Sequence, residues 1–183
     1  MLFRSVLSPG VDPAQPAIAA ARQAGVPVIG EVELASRWLA GRMVAITGTK
    51  GKSTTTTLTA RMLQAAGLDA PAGGNLGPAL STQVAGSTPQ TVHVVEVSSF
   101  QLETTDTFHP WIAVLLNLTP DHLDRHPDFA SYRDAKARIF ARQTASDWAV
   151  INLDDAGARA LAPASGPRRF DVALDAPVRD GVT

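Results

Sequence analysis

Six residues, Gly48-Thr49-Lys50-Gly51-Lys52-Ser53, carry the strongest chemical signature in the sequence. They follow the apolar run "VAIT" and precede "TTTTLTARMLQAAG", so the expected order is buried strand, glycine loop, helix. That order aims backbone N–H groups and a helix N-terminus at one point, which suits a phosphate. Gly48 and Gly51 let the backbone close around oxygens, Lys52 supplies charge for outer phosphates, and the Ser53 hydroxyl is placed to ligate magnesium. The nucleotide-facing set therefore runs from Gly48 to Thr54 and includes Thr49 and Lys50. Ile46 stands where the commoner pattern has glycine, so the loop is the shorter G-x-x-G-K-S form. An ordinary Gly-rich turn is the bland alternative, disfavoured because strand, loop, Lys-Ser and helix all occur in order. The hydroxyls of Thr54 to Thr57 open the helix, where they can cap free N–H groups, so most of that run reads as structural.

A bound triphosphate needs a carboxylate nearby to hold magnesium. Glu96 ends the apolar run "TVHVVE" on the face of Val92 and Val94 by strand alternation, and a carboxylate on a buried face needs a metal or a lysine. A strand-end acid turned to solvent is the alternative. Ser98 and Ser99 follow and either cap the next turn or touch ligand. Asp121, His122, Asp124 and His126 crowd one loop after the strand "WIAVLLNL"; oxygen donors with one imidazole suit magnesium or manganese better than structural zinc. The same residues also read as a polar loop capping the next helix. In that helix Tyr132, Ala135, Ile139 and Phe140 form the apolar face, and Lys136 falls beside it. The pattern alone favours a lysine snorkelling to the rim; the other reading is a lysine aimed into the site. Asn75, in "GGNLG", is a ligand candidate by position.

The elements that must hold these residues alternate strand and helix. Asp12 and Pro13 are expected to cap and start a first helix, followed by the short strand "VPVIG". A second helix, "EVELASRWLAG", shows a rough stripe of Val32, Leu34, Ala35, Trp38 and Leu39, with Gly41 as its stop and a domain seam. This divides the chain into 1–42 and 43–183. Beyond it, continuous apolar strands alternate with helices, the mark of an α/β fold with a mostly parallel sheet and helices on both faces. The tail after Asp154 is rich in Ala, Pro and Gly, with one further strand expected near Phe170.

Composition narrows the function classes. The 183 residues carry a formal net charge of -1 and no basic run, so there is no electrostatic footprint for nucleic acid or an anionic membrane. The absence of cysteine excludes disulfides and thiolate metal sites. No apolar run reaches membrane-spanning length, and "MLFRSVLSPGVDP" meets Pro9 and Gly10 too early for a signal peptide, so the expected location is cytoplasmic.

Taken together, "GTKGKSTTT", "GGNLG", "EVSSFQLE", "NLTPDHLDRH" and "YRDAKARIF" resemble the Mur ligases, with five separated motifs in family order between about Ser8 and Asp155. "SSFQLE", with "SPGV" upstream, is most similar to the branch that adds D-glutamate to UDP-N-acetylmuramoyl-L-alanine. The resemblance implies a P-loop-type central domain and an ATP-dependent amide ligase of cytoplasmic peptidoglycan precursor synthesis. ATP phosphorylates a substrate carboxylate, and an amine attacks the acyl phosphate. It also implies roles: Lys52 and Ser53 at the phosphates, and Glu96 as the first magnesium carboxylate. His122 would be the metal-binding histidine, and Lys136 a carbamylated lysine able to hold a second magnesium. Asn75 would contact the muramoyl substrate. By the same resemblance, 1–42 is the end of a Rossmann-like, UDP-binding domain, 43–183 is an incomplete ATP-binding domain, and a C-terminal domain is absent. Such a fragment is expected not to turn over alone. Three alternatives stand beside this reading: a binding-only ATP module needing neither Glu96 nor Lys136, a kinase needing no amine acceptor, and another Mur-type ligase or folylpolyglutamate synthase.

Overall fold

The computed structural model describes residues 5–8, 11, 15–174, 178 and 181–182. A small parallel pair, β1 (Ser5–Leu7) and β2 (Val28–Gly30), flanks helix α1 (Pro16–Gln23). Proline stands at the start of α1, where its missing N–H costs nothing. The expected cap at Asp12 and start at Pro13 lie outside the described residues.

Helix α2 spans only Glu31–Ser36, shorter than the apolar stripe predicts. Trp38 is 71% exposed and is not part of the helix. Gly41 is not the helix stop either: it lies five positions further on, pressed so closely against the Thr88 and Thr91 carbonyls that a side chain there would collide with them. What ends α2 is tertiary. Its Val32 and Ala35 enter the main core, and its Glu33 is wholly buried against a distant loop.

From Arg42 the chain builds a seven-stranded parallel sheet in the order β4-β5-β3-β6-β7-β8-β9. The strands are β3 (Arg42–Thr47), β4 (Ala72–Gly74), β5 (Val92–Glu96), β6 (Ile112–Leu115), β7 (Trp148–Asn152), β8 (Arg168–Val172) and β9 (Gly181–Val182). β8 is the strand expected near Phe170; the short edge strand β4, made of the glycine segment itself, was not expected. Alternation splits β3 between two clusters, with Met43 and Ala45 on one face and Val44 and Ile46 on the other. The first face is covered by α2, α4 (Ser99–Glu103), α5 (Phe129–Ala137) with its 3₁₀ extension Arg138–Phe140, and α6 (Ala156–Ala160). The second is covered by α3 (Lys52–Ala65) over β3 and β5. Beyond α3, on the same face, Ile112, Val114, Trp148, Val150 and Phe170 line open apolar grooves, one of about 550 Å3 against Leu63 and Trp111.

Glu33 fastens α2 to this domain. Its carboxylate accepts the N–H groups of Asp106, Thr107 and Phe108 at 2.9 to 3.1 Å, the Thr107 hydroxyl at 2.6 Å and the Arg37 guanidinium at 2.6 Å. Burial alone would raise its pKa; these donors outweigh burial and hold it below the ordinary carboxylate value. The stabilisation is therefore complete above the ordinary carboxylate range and is lost as pH falls through the lowered folded value. Glu33→Ala, which orphans several donors, is expected to cost about 3 kcal/mol at pH 7 in urea unfolding. Glu33→Gln should flatten the acid limb of stability against pH, and an unchanged limb would assign it to other carboxylates.

Candidate functional site

The phosphate loop occupies the point where the sheet order changes direction. β3 pairs with β5 on one side, Ile46 opposite Glu96, and with β6 on the other, Ile46 opposite Val114. Open parallel sheets bind ligands at such a switch point, outside the carboxyl ends of the strands. β4 completes the edge, with Gly74 opposite Glu96.

Helix α3 begins at Lys52 after Gly51, whose φ of 82° lies in the left-handed region that glycine enters freely. Among the described residues no side chain caps the helix. The threonines thus do not act as expected: Thr55 instead donates its hydroxyl to the Gly51 carbonyl at 2.9 Å, and the first-turn N–H groups stay free for a ligand. Lys52 rests its Nζ on the Thr49 carbonyl at 3.1 Å. Ser53 Oγ donates to Glu96 Oε2 at 2.7 Å, and Asn75 Nδ2 donates to Glu96 Oε1 at 2.7 Å. Glu96, 2% exposed, is thus oriented through both oxygens. The strand places it as alternation requires, on the face that α3 covers.

Lys136 is not a rim lysine. It is 2% exposed and donates to the Gly48 carbonyl at 2.8 Å, with Thr47 Oγ1 at 3.4 Å and the Tyr132 ring centre at 4.8 Å. Burial, reinforced by the Lys52 charge, pulls its pKa down to about 7. Tyr132 in turn bonds Thr49 Oγ1 at 3.0 Å. The same hydroxyl accepts the Thr119 N–H at 3.0 Å, so the Thr49 side chain faces inward and joins three elements. Lys50 and Thr54 are exposed along the loop and first turn.

The loop of acids and histidines is dispersed. His122 is the single non-glycine residue with positive φ, 54°, among the described residues, and its side chain is half exposed. It forms no hydrogen bond to Ser53, Glu96 or Lys136. His126 is buried the other way, its Nε2 2.9 Å from Ser99 Oγ and its ring stacked on Phe100 at 5.1 Å. Asp124 is exposed. No group of three His, Cys, Asp or Glu residues able to hold a metal occurs among the described residues. Ser98 caps α4 in a reciprocal capping box with Gln101, which answers the question of capping. Gln101 has a buried Nε2 without a partner among the described residues, and it lines a narrow cleft with Leu7, Ser8, Gly30 and Arg125.

Asn117 went unremarked in the sequence. Its carboxamide holds the phosphate loop through Thr49 and Lys50. The available signal was a polar residue ending an apolar strand directly beside the loop's own strand.

A helix N-terminus with no side-chain cap among the described residues, a glycine loop with a lysine, and an oriented hydroxyl-carboxylate pair at a switch point define an α/β domain of P-loop type. A profile described as the Mur ligase middle domain matches residues 46–176. The chain belongs to the Mur ligase family. It is 47% identical over 176 residues to the UDP-N-acetylmuramoylalanine--D-glutamate ligase of Acidobacterium capsulatum, covering 96% of this chain and 38% of that protein. It is 53% identical over 150 residues to the ligase of the same name from Geobacter metallireducens, covering 82% and 33%. A solved UDP-N-acetylmuramoyl-L-alanyl-D-glutamate--2,6-diaminopimelate ligase superposes with a TM-score of 0.63 at 26% identity, covering 95% of this chain and 47% of that one. A ligase from Neisseria meningitides, at 19% identity and a TM-score of 0.62 over 90% and 57%, shares the fold. The chain thus spans about a third of the length of the curated relatives it matches. Among the described residues, no helix is long and apolar enough to cross a membrane.

The depressed Lys136 pKa makes a prediction for the unliganded chain. Between about 7 and 10.5 the unfolded chain holds a proton that the folded chain has released, so stability should rise with pH across that window. Urea unfolding at pH 6.5 and 9.5 should show the rise in the wild type and a flatter response in Lys136→Met. Equal slopes in both would mean that Lys136 is not the group responsible.

Proposed function

We propose that this chain forms the nucleotide-binding part of an ATP-dependent ligase that adds D-glutamate to UDP-N-acetylmuramoyl-L-alanine through an acyl phosphate, in cytoplasmic peptidoglycan precursor synthesis. The observation that carries the ATP site is the contact of Ser53 with Glu96 at the uncapped start of α3. The choice of substrates rests on the names of the relatives that share about half of its residues. In this reading 43–183 belongs to the ATP-binding domain and 1–42 to the end of a UDP-binding domain, although α2 packs into the core of the former.

The donor set fits magnesium. A single carboxylate and a hydroxyl, with no all-protein cage, match a hard cation that keeps waters and shares the substrate's phosphates. Ser53 and Glu96 would hold it, and it would supply positive charge to the transferring phosphoryl group. Lys52 would move from the Thr49 carbonyl to the outer phosphates, and the free N–H groups of α3 would take the inner ones. Asn75, which orients Glu96, would link the substrate segment to the phosphate site.

Lys136 suits carbamylation. Burial that lowers an amine's pKa to about 7 gives it a substantial neutral population near neutral pH, and the neutral amine is the form that attacks carbon dioxide. A nitrogen–carbon bond would form, a proton would leave to solvent, and the neutral amine would become a carbamate anion; that anion and His122 would hold a second magnesium. Binding-only function leaves a buried lysine and an oriented carboxylate around the loop without a purpose.

Titration calorimetry tests the central point. The chain should bind ATP only with magnesium, and Lys52→Ala should weaken binding about tenfold or more, the loss of one charge-assisted contact. A folded wild type whose ATP affinity is indifferent to both magnesium and Lys52 would sink the assignment.

A further inference from the structure

The shape of the phosphate loop is held by a side chain from another strand. Asn117 follows the end of β6 and turns its carboxamide into the loop from 68 residues away in sequence. Its Oδ1 accepts the N–H groups of Thr49 at 3.0 Å and Lys50 at 2.9 Å, and its Nδ2 donates to the Lys50 carbonyl at 3.0 Å. The partners determine the orientation of the amide, because a flipped group would set donors against donors and acceptor against acceptor. The Thr49 N–H lies also 3.1 Å from the Asn117 carbonyl.

Peptide planarity carries the consequence into the site. In a trans peptide the N–H and C=O point in opposite directions. The Lys50 N–H points at Asn117, so the carbonyl of that peptide, Thr49 C=O, points away, and it is there that Lys52 Nζ rests at 3.1 Å. In the next peptide the Lys50 carbonyl faces Asn117, so the Gly51 N–H is turned the other way, alongside the free N–H groups that open α3. One carboxamide thus sets two successive peptide planes, commits the Thr49 and Lys50 N–H groups to protein, and leaves Gly51 and the helix start for the ligand.

We propose that Asn117 is a positioning residue for the nucleotide, which folds the phosphate loop before the ligand arrives and fixes which N–H groups face the phosphates. This rests on the reading of the loop as an ATP site. A loop ordered in advance spares the ordering cost at binding, so the effect should appear in affinity.

The test combines amide hydrogen exchange, read residue by residue by NMR, with calorimetric titration of ATP and magnesium on the whole chain. In Asn117→Ala the Lys50 amide, which has no other acceptor among the described residues, should exchange at least about tenfold faster, while Thr49 keeps the backbone carbonyl of residue 117, Ala45 and Ile46 in β3 stay protected, and ATP should bind about tenfold more weakly. Asn117→Asp keeps a side-chain acceptor for the Lys50 N–H, so it should restore that protection. It should not restore affinity, since it repels phosphate and loses the donor to Lys50. Unchanged exchange at Lys50 in folded Asn117→Ala overturns the proposal, as does ATP affinity within twofold of wild type. The Lys52→Ala control separates the two claims: if neither it nor the wild type binds ATP, the nucleotide reading falls, and with it the assignment of Asn117 to a nucleotide. If the wild type binds and Lys52→Ala does not, any failure belongs to Asn117 alone.

Discussion

Parallel pairing of β3 with both β5 and β6 is the constraint on which the site depends. Because Ile46 lies opposite Glu96 on one side and Val114 on the other, three strand ends open onto one crevice. The loop after β3, the acid closing β5 and the segment after β6 are thus brought together by register. The hydrogen-bond ladder supplies the precision, and the apolar faces of β3 oblige helices to pack on both sides.

Within that crevice, charge is arranged by burial as much as by pairing. Glu96 is oriented by a hydroxyl and an amide and pairs with no protein cation among the described residues. Lys136 has carbonyl, hydroxyl and aromatic neighbours, and burial makes its protonated form unfavourable. Lys52 stays near water. The Lys52 charge nearby adds to the effect of burial on Lys136.

Much of the sheet was legible in the sequence, because β3, β5, β6 and β7 are apolar runs with little competing pattern, and the loop motif lies where a strand passes into a helix. Local pattern misled where tertiary contacts decide. Trp38 extended the apparent stripe of α2, yet Glu33 draws that helix onto residues 106–108, and nothing in "EVELAS" sets Glu33 apart from Glu31. Lys136 sits at the margin of an apolar face, where helical spacing cannot tell burial from snorkelling; the carbonyl it binds lies 88 residues earlier. The four polar residues after β6 looked like one cluster because sequence proximity was the only distance on hand, whereas the turn at His122 sends His126 inward and Asp124 outward. The resemblance of five motifs to one family placed Glu96, His122 and Lys136 in a common site. The geometry joins Glu96 and Lys136 to the phosphate loop, whereas the His122 ring lies half exposed beside Phe100 and Tyr132.

The open face of β6, β7 and β8 has a consequence for the chain as a solute. Apolar grooves beside α3 meet water together with exposed Leu58, Met62 and Leu174. Attraction between such faces is opposed mainly by like charge, and a formal net charge of -1 supplies almost none. Colloidal behaviour should therefore depend on concentration and on excluded cosolutes, with kosmotropic salts driving self-association at protein levels where added acidic residues on that face would keep the chain dispersed.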